Sequence, residues 1–202
     1  MGRITTEAAL REIYHQLPTP ASTEKVADRI TPEYRAWIEA APFCALATIG
    51  PEGLDASPRG DLGQVTHVED PHTLALPDRR GNNRIDSLLN IVRDPRVALM
   101  YLIPGSGTVI RVNGTAEIRD DAELLERYAQ KGQPPRSVIM VTPREVYFQC
   151  ARAVMRAELW KASPDIGHLP SVGTILDGMT NGAIDGKTYD SEWPGRAAKT
   201  MW

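Results

Sequence analysis

Short apolar segments, separated by turns rich in glycine and proline, constrain the fold of this chain most. The clearest pair covers residues 96–103 and 108–119, and apolar side chains alternate along the second segment. Residues 104–107, Pro-Gly-Ser-Gly, predict a hairpin loop between the two. Further strands are predicted at residues 43–49, 54–59, 64–69, 72–77 and 144–150.

Helices are predicted only between or outside these strands. Helical spacing of apolar residues, with capping residues and prolines at the ends, places them at residues 5–17, 31–41, 84–93, 121–130, 152–160 and 169–179. Thr31 is the predicted N-cap of the second helix, and Pro32 its first residue. Short strands joined by tight turns favour an antiparallel barrel over a doubly wound parallel sheet.

Composition excludes several classes of function. The 202 residues carry a net charge of −3, which supplies no positive field for a nucleic-acid backbone. No apolar run is long enough for a membrane span, and the first residues lack the pattern of a signal peptide. The four histidines lack metal-ligand spacing. Cys44 and Cys150 are expected to be buried, reduced thiols, which suits a cytoplasmic protein.

The first candidate functional segment ends a predicted strand and consists of Ser57, Pro58, Arg59, Gly60 and Asp61. Such a polar segment after an apolar strand is typical of a turn. A glycine between an arginine and an aspartate also allows a flat ring to approach the backbone closely. Both interpretations stay open from the residues alone.

The second candidate segment covers residues 76–90, where a strand ends at Pro77 and an amphipathic helix is predicted to begin near Asn83. Arg79, Arg80 and Arg84 surround the predicted helix N-terminus, which suits a dianionic phosphate. Ser87, on the same helical flank as Arg84, is a further candidate donor. The alternative is a solvated loop in which Asn83 caps the helix.

A third, weaker feature follows the last predicted strand. Arg152, Arg156 and Trp160 have the spacing of one helix stripe, which two cations and an indole could present to an anionic or aromatic ligand. The alternative is a surface stripe in which Trp160 covers the sheet.

Taken in order, several segments resemble the pyridoxamine 5′-phosphate oxidase-like superfamily of flavin-binding split barrels, and in particular a bacterial branch with unassigned substrates. The resemblance covers about residues 31–160. The segments that carry it are ALATI at 45–49, SPRGD at 57–61, LALPDR at 74–79, NNR at 82–84, DPRVAL at 94–99, IPG at 103–105 and RVNG at 111–114.

The resemblance implies a mainly β fold with peripheral helices, a six-stranded antiparallel split β-barrel, and a homodimer with FMN at the subunit interface. It divides the chain into an N-terminal helical extension (1–30), a flavin-binding domain (31–162) and a C-terminal extension (163–202). It assigns three groups of residues to the cofactor. The phosphate group is Arg79, Asn82, Asn83, Arg84 and Ser87; the ring and ribityl group is residues 57–61 with Leu76, Pro77 and Asp78; the group contributed by a partner subunit is Arg152, Arg156 and Trp160.

The chain departs from the vitamin B6 oxidases at two places. Their basic strand motif is replaced by residues 57–61, and their C-terminal substrate signature is absent from the segment around Trp193. The expected function is therefore a flavin-dependent oxidoreductase of unassigned substrate. Its flavin would take a hydride from NAD(P)H or a reduced small molecule, with Arg59 near the developing negative charge. The alternatives are a non-catalytic flavin carrier or sensor, a split barrel using deazaflavin or haem, and a dimeric module binding a protein or another phosphorylated metabolite.

Overall fold

A computed structural model describes residues 2–161 and 166–200 of the chain, and its centre is one antiparallel sheet of seven strands. The strands are β1 (Phe43–Gly50), β2 (Gly53–Gly60), β3 (His67–Asp70), β4 (Thr73–Pro77), β5 (Arg96–Leu102), β6 (Val109–Arg119) and β7 (Val138–Gln149).

The strand order is β2-β1-β5-β6-β7-β4-β3, so β2 and β3 are the two edges of the hydrogen-bonded ladder. Each of the seven segments that the residue pattern predicts corresponds to a strand. The count of six strands, which came from the family resemblance, does not match, and the ladder is not closed. The coarser prediction, a mainly β protein with peripheral helices, is confirmed.

The last strand is longer than predicted. It begins at Val138 rather than at residue 144, and Pro143 lies inside it. Pro143 is paired with Gly114 at the point where the β6–β7 register shifts. Proline has no N–H group to donate, but at a bulge no ladder bond is lost. Gly114 makes this possible, since a Cβ there would lie 2.2 Å from the Thr142 carbonyl oxygen.

The helices are mostly shorter than the sequence pattern predicts. They are α1 (Glu7–Ile13), α2 (Pro20–Thr23), α3 (Pro32–Glu39), α4 (Asp86–Arg93), α5 (Ala122–Arg127), α6 (Arg152–Arg156), α7 (Val172–Met179) and α8 (Gly186–Thr200). The predicted cap is confirmed, because Thr31 Oγ1 accepts a hydrogen bond from the Tyr34 N–H. Helix α8 was not predicted, because it contains Pro194 and Gly195, which disfavour a helix interior.

The core lies between the sheet and helices α3 and α4. Leu46, Leu99, Val112 and Val141 from four different strands are all fully buried in it. Cys44 is part of this core, and burial raises the pKa of its thiol to about 12, so it stays protonated and unreactive at neutral pH. The expectation of a second buried thiol is wrong, since Cys150 follows the last residue of β7 and is exposed.

A smaller cluster of Ala75, Tyr128 and Val138 lies beneath α5. Within the described ranges, no helix is long and apolar enough to cross a membrane. The same ranges contain no group of three or more His, Cys, Asp or Glu side chains placed to hold a metal ion.

Candidate functional site

Two adjoining cavities open where strands β2 and β4 end. The strand-end cavity, of about 230 Å³, is lined by residues 58–61, Val65 and residues 76–81. The loop cavity, of about 150 Å³, is lined by Arg59, residues 78–85, Leu88, Arg136 and Ser137. Arg59 and residues 78–81 line both cavities, so they form one continuous site. The structure thus brings together the first two candidate segments of the sequence.

Arg59 lies at the centre of this site, on β2. Its Nη1 donates a hydrogen bond to Ser57 Oγ at 3.2 Å. Its Nε is buried and has no hydrogen-bond partner among the described residues. Buried donors are almost always paired in folded proteins, because an unmade hydrogen bond there costs the full desolvation of the group. The Nε atom of Arg59 is therefore a donor that a bound acceptor would satisfy.

Asp78 lies in the same site, directly after β4, and is held by a backbone hydrogen bond from its N–H to the Ser137 carbonyl at 2.9 Å. Burial raises the pKa of its carboxyl group, and the nearby guanidinium groups of Arg59 and Arg136 partly offset that rise. The Asp78 carboxylate is thus disfavoured by its surroundings, although two cations face it.

Replacing Asp78 by asparagine is expected to stabilise the protein at neutral pH. The native carboxyl group binds its proton more tightly than the unfolded one, so stability is lost as pH rises from the unfolded pKa to the raised native pKa. Below the unfolded pKa, about 3.8, both states are protonated and the penalty vanishes. Urea unfolding at pH 7 and pH 4 should show that Asp78→Asn gains stability at pH 7 and much less at pH 4. An equal change at both pH values would contradict the assignment.

Arg79 is bound inside the protein rather than free in the cavity. Its Nε donates to Asp61 Oδ2 at 2.6 Å, and its Nη1 donates to the Tyr128 carbonyl at 2.6 Å. The side chains are 14% and 4% exposed for Arg79 and Asp61, so this is a buried ion pair. Asp61 also accepts hydrogen bonds from Gln130 Nε2 and from the Leu62 N–H. Two of the Arg79 donors are therefore used to join the end of β4 to the segment after β2 and to α5.

The predicted phosphate group is only partly assembled. Because α4 begins at Asp86, Arg84 lies in the preceding turn, 78% exposed at its side chain and paired with Asp86. Ser87 is buried in α4 and lines neither cavity, so the predicted flank shared with Arg84 is wrong. Asn82 Oδ1 accepts from the Arg84 N–H at 3.0 Å.

Asn83 does not cap the helix either. Residue Ile85 precedes α4, and no side chain caps this end. Asn83 has a φ of 62°, the left-handed region that asparagine tolerates better than most residues. Its Oδ1 accepts a hydrogen bond from Arg136 Nη1 at 2.8 Å. The 82–85 turn is thereby tied to the segment before β7.

Arg136 is the charged residue of the site that sequence reasoning missed. It follows Pro134 and Pro135 and precedes β7, whose start had been placed at residue 144. Val138, the first residue of β7, pairs with Pro77, the last residue of β4. The residues just before β7 therefore lie beside those just after β4. The only signal in the sequence was a basic residue close before a strand, and it could be recognised only if the start of β7 was placed correctly.

The third candidate feature lies elsewhere on the molecule. Helix α6 ends at Arg156, and Glu158, with a φ of 49°, follows in the left-handed conformation that commonly ends helices. The predicted stripe of Arg152, Arg156 and Trp160 on one helix is therefore wrong. Trp160 Nε1 donates to the Ser106 carbonyl at 2.6 Å, in the β5–β6 turn. None of these three residues lines the strand-end or loop cavity within this chain.

The fold and the site define an antiparallel β protein with an arginine-lined cavity at its strand ends. A family model described as pyridoxamine 5′-phosphate oxidase matches residues 30–150. The chain therefore belongs to the pyridoxamine 5′-phosphate oxidase family. No curated protein matches the chain.

Solved structures with similarity to parts of the chain include three from different bacteria. HupZ of Group A Streptococcus is 17% identical, with 60% of this chain and 94% of that chain covered and a TM-score of 0.49. General Stress Protein 26 of Bacillus anthracis is 18% identical, with 57% and 91% covered and a TM-score of 0.44. A FAD-binding protein of Mesorhizobium loti is 14% identical, with 61% and 94% covered and a TM-score of 0.42.

Proposed function

We propose that this chain binds FMN in the strand-end and loop cavities and acts as a flavin-dependent oxidoreductase on a small molecule. The observation that carries the proposal is the buried, unpartnered Nε of Arg59 in an arginine-lined cavity. Membership of the pyridoxamine 5′-phosphate oxidase family supports the flavin as the acceptor that satisfies it.

The loop cavity fits the phosphate end of the cofactor. Arg80 has no hydrogen bond or ion pair within the described part of the chain, and Arg136 donates only to the uncharged Asn83 amide. Both guanidinium groups are thus available to an anion, and guanidinium–phosphate hydrogen bonds are among the stronger ones in proteins. The uncapped N-terminus of α4 adds partial positive charge at the same place.

The strand-end cavity fits the flat ring and the adjoining chain. Gly60 lines it at the end of β2, and Val65, Leu76 and Pro77 supply apolar walls that exclude water. A bound flavin would supply hydride-transfer chemistry. Arg59 would hold a positive charge against the ring edge, where reduction builds up negative charge, and no side chain of this chain needs to act as acid or base.

We further propose that a second copy of the chain completes the site. Together the two cavities reach only the lower end of the roughly 300–1,000 Å³ of typical ligand pockets. A separate groove of about 770 Å³ runs over β1, β5 and the β6–β7 bulge. Apolar residues, including Ala47, Ile49, Leu54 and Ala98, line it together with polar and charged ones such as Arg96 and Arg144. Leu54 is mostly exposed there, as expected for a surface that a partner covers.

The absorption spectrum of the purified protein, before and after incubation with FMN and removal of the excess, tests this proposal. A retained, structured flavin band is expected, and its bleaching by NAD(P)H would support an oxidoreductase over a flavin carrier. The absorption spectrum of a deazaflavin or of haem would show that the site binds that cofactor instead of FMN. No uptake of FMN would overturn the proposal.

Replacing Arg59 by glutamine is expected to weaken FMN binding by about 1–3 kcal/mol, because a charge-assisted hydrogen bond to the cofactor is lost. Fluorescence titration with FMN measures the change. Arg119→Gln is the matched control, since Arg119 lies on β6 and pairs with Asp121 away from both cavities. Unchanged FMN affinity in Arg59→Gln would remove Arg59 from the site.

A further inference from the structure

A third cavity shares Arg79, Arg80 and Arg136 with the loop cavity. This diproline cavity, of about 320 Å³, is bounded by Arg79 and Arg80 on one side. Gln130 and residues 133–136, which include Pro134 and Pro135, bound the other side. The proposed function uses neither its volume nor its outer walls.

The charge of the diproline cavity is entirely positive. Arg79, Arg80 and Arg136 line it, and no carboxylate-bearing residue does. Arg79 is neutralised by Asp61, but Arg80 and Arg136 have no ion pair among the residues that the structure describes. Arg136 also lies near the Asp78 carboxyl group, but Asp78 lines the loop cavity and not this one. The guanidinium groups of Arg80 and Arg136 therefore favour an anionic ligand here, with geometry suited to phosphoryl oxygens.

Arg80 and Arg136 line both the loop cavity and the diproline cavity. A phosphate in the loop cavity and a second anion in the diproline cavity would therefore share these two side chains. Two phosphoryl groups joined or placed side by side are the arrangement that such a shared arginine pair would stabilise.

A tight turn holds the wall of the diproline cavity that Gln130, Gln133 and the two prolines form. The backbone groups of Gln130 and Gln133 exchange two hydrogen bonds of 2.9 Å, and the turn passes through Lys131 and Gly132 in the left-handed conformation. The Gln130 side chain donates to Asp61, whereas the exposed Gln133 side chain has no hydrogen bond among the described residues. Gln133 therefore offers a free amide donor, and the two prolines offer an apolar surface beside it.

We propose that the diproline cavity binds a second phosphoryl group, so that the whole site recognises a diphosphate. This inference rests on the proposed FMN site, because the first phosphate is the one assigned to the loop cavity. The second phosphoryl group can come from a dinucleotide flavin or from a separate nucleotide that binds beside FMN. Both sources share the same chemistry at Arg80, Arg136 and Gln133.

The test uses Gln133→Glu, which places a carboxylate in the diproline cavity without touching the loop cavity. The probes are FMN and FAD, each titrated into the full chain, and ADP, titrated into the FMN-loaded protein. Gln133→Glu is expected to weaken binding of the diphosphate probe about tenfold and to weaken FMN binding much less, since only the second phosphoryl group would face the new negative charge directly. Gln133→Lys is expected to strengthen binding of the diphosphate probe. Gln16→Glu, at an exposed position before α2, is the matched control.

The two sources give different results. FAD binding more tightly than FMN, with sensitivity to Gln133→Glu, identifies a dinucleotide flavin. Equal FAD and FMN affinity, with ADP bound in a manner sensitive to Gln133→Glu, identifies a separate nucleotide. No FAD preference and no ADP binding, or insensitivity to both Gln133 variants, overturns the inference while FMN binding still stands. Failure of FMN itself to bind overturns the proposed function and this inference with it.

Discussion

Replacing Gly114 by alanine is expected to lower the free energy of unfolding by about 3 kcal/mol, because the added methyl group has no room. Its position would be 2.2 Å from the Thr142 carbonyl oxygen and 3.1 Å from the Pro143 Cα. These are backbone atoms of the neighbouring strand, so no side chain can rotate away to relieve the contact. The β6–β7 pairing, the longest in the sheet, would have to separate at its bulge.

Urea denaturation of the wild type and Gly114→Ala measures this loss. Gly178→Ala is the matched control, since Gly178 lies in α7 and a Cβ there meets nothing within 4 Å. That control is expected to be neutral or stabilising by up to about 1 kcal/mol, because alanine favours helix over glycine. Equal stability of the two variants would show that the bulge accommodates a side chain.

The second large effect is expected at Arg79. Its replacement by methionine removes one partner of a buried ion pair and leaves the Asp61 carboxylate, only 4% exposed, without its cation. Removing one partner of such a pair costs about 3–5 kcal/mol, because the remaining charge stays desolvated. The hydrogen bond to the Tyr128 carbonyl is lost as well, so the link between β4 and α5 is weakened.

Unfolding measurements on Arg79→Met and on Arg119→Met separate a buried pair from an exposed one. The Arg119–Asp121 pair is about half exposed at both side chains, and its loss is expected to cost at most about 1 kcal/mol. FMN titration of Arg79→Met, under conditions where this variant is folded, tests whether Arg79 also binds the cofactor phosphate. Normal stability with lost FMN affinity would make Arg79 a phosphate ligand, as the sequence predicted, instead of a structural residue.

Gly114 and Arg79 show which features could be predicted from the sequence and which could not. Gly114 belongs to the RVNG segment that carried the family resemblance, yet its closeness to Thr142 depends on a strand partner 28 residues away (142 minus 114). Arg79, predicted as a phosphate ligand, lines both the strand-end and the loop cavity. Its partners Asp61 and Tyr128 are 18 and 49 residues distant along the chain, so no local pattern could show that its donors are already used.

The errors at the site have a common origin in element ends. Helix α4 begins at Asp86 and not at the predicted residue 84, so Arg84 lies in a turn and Ser87 is buried. Ending α6 at Arg156 separated Trp160 from the two arginines. Starting β7 at Val138 brought Arg136 into the site. Element ends depend on tertiary pairing, whereas periodicity within an element depends on the residues themselves.

The sequence by itself determined the strand segments, the hairpin between β5 and β6, the cap of α3 and two of the segments that line the cavities. Alternation, turn residues and capping chemistry act over a few neighbouring residues, so they can be recognised from the chain alone. Only the tertiary structure decided that the sheet has seven strands in an open ladder, that Arg59 has an unsatisfied donor, and that Arg80 and Arg136 stand between two cavities. Those features arise where segments distant in sequence meet, and burial and charge there are properties of the folded surface rather than of any one segment.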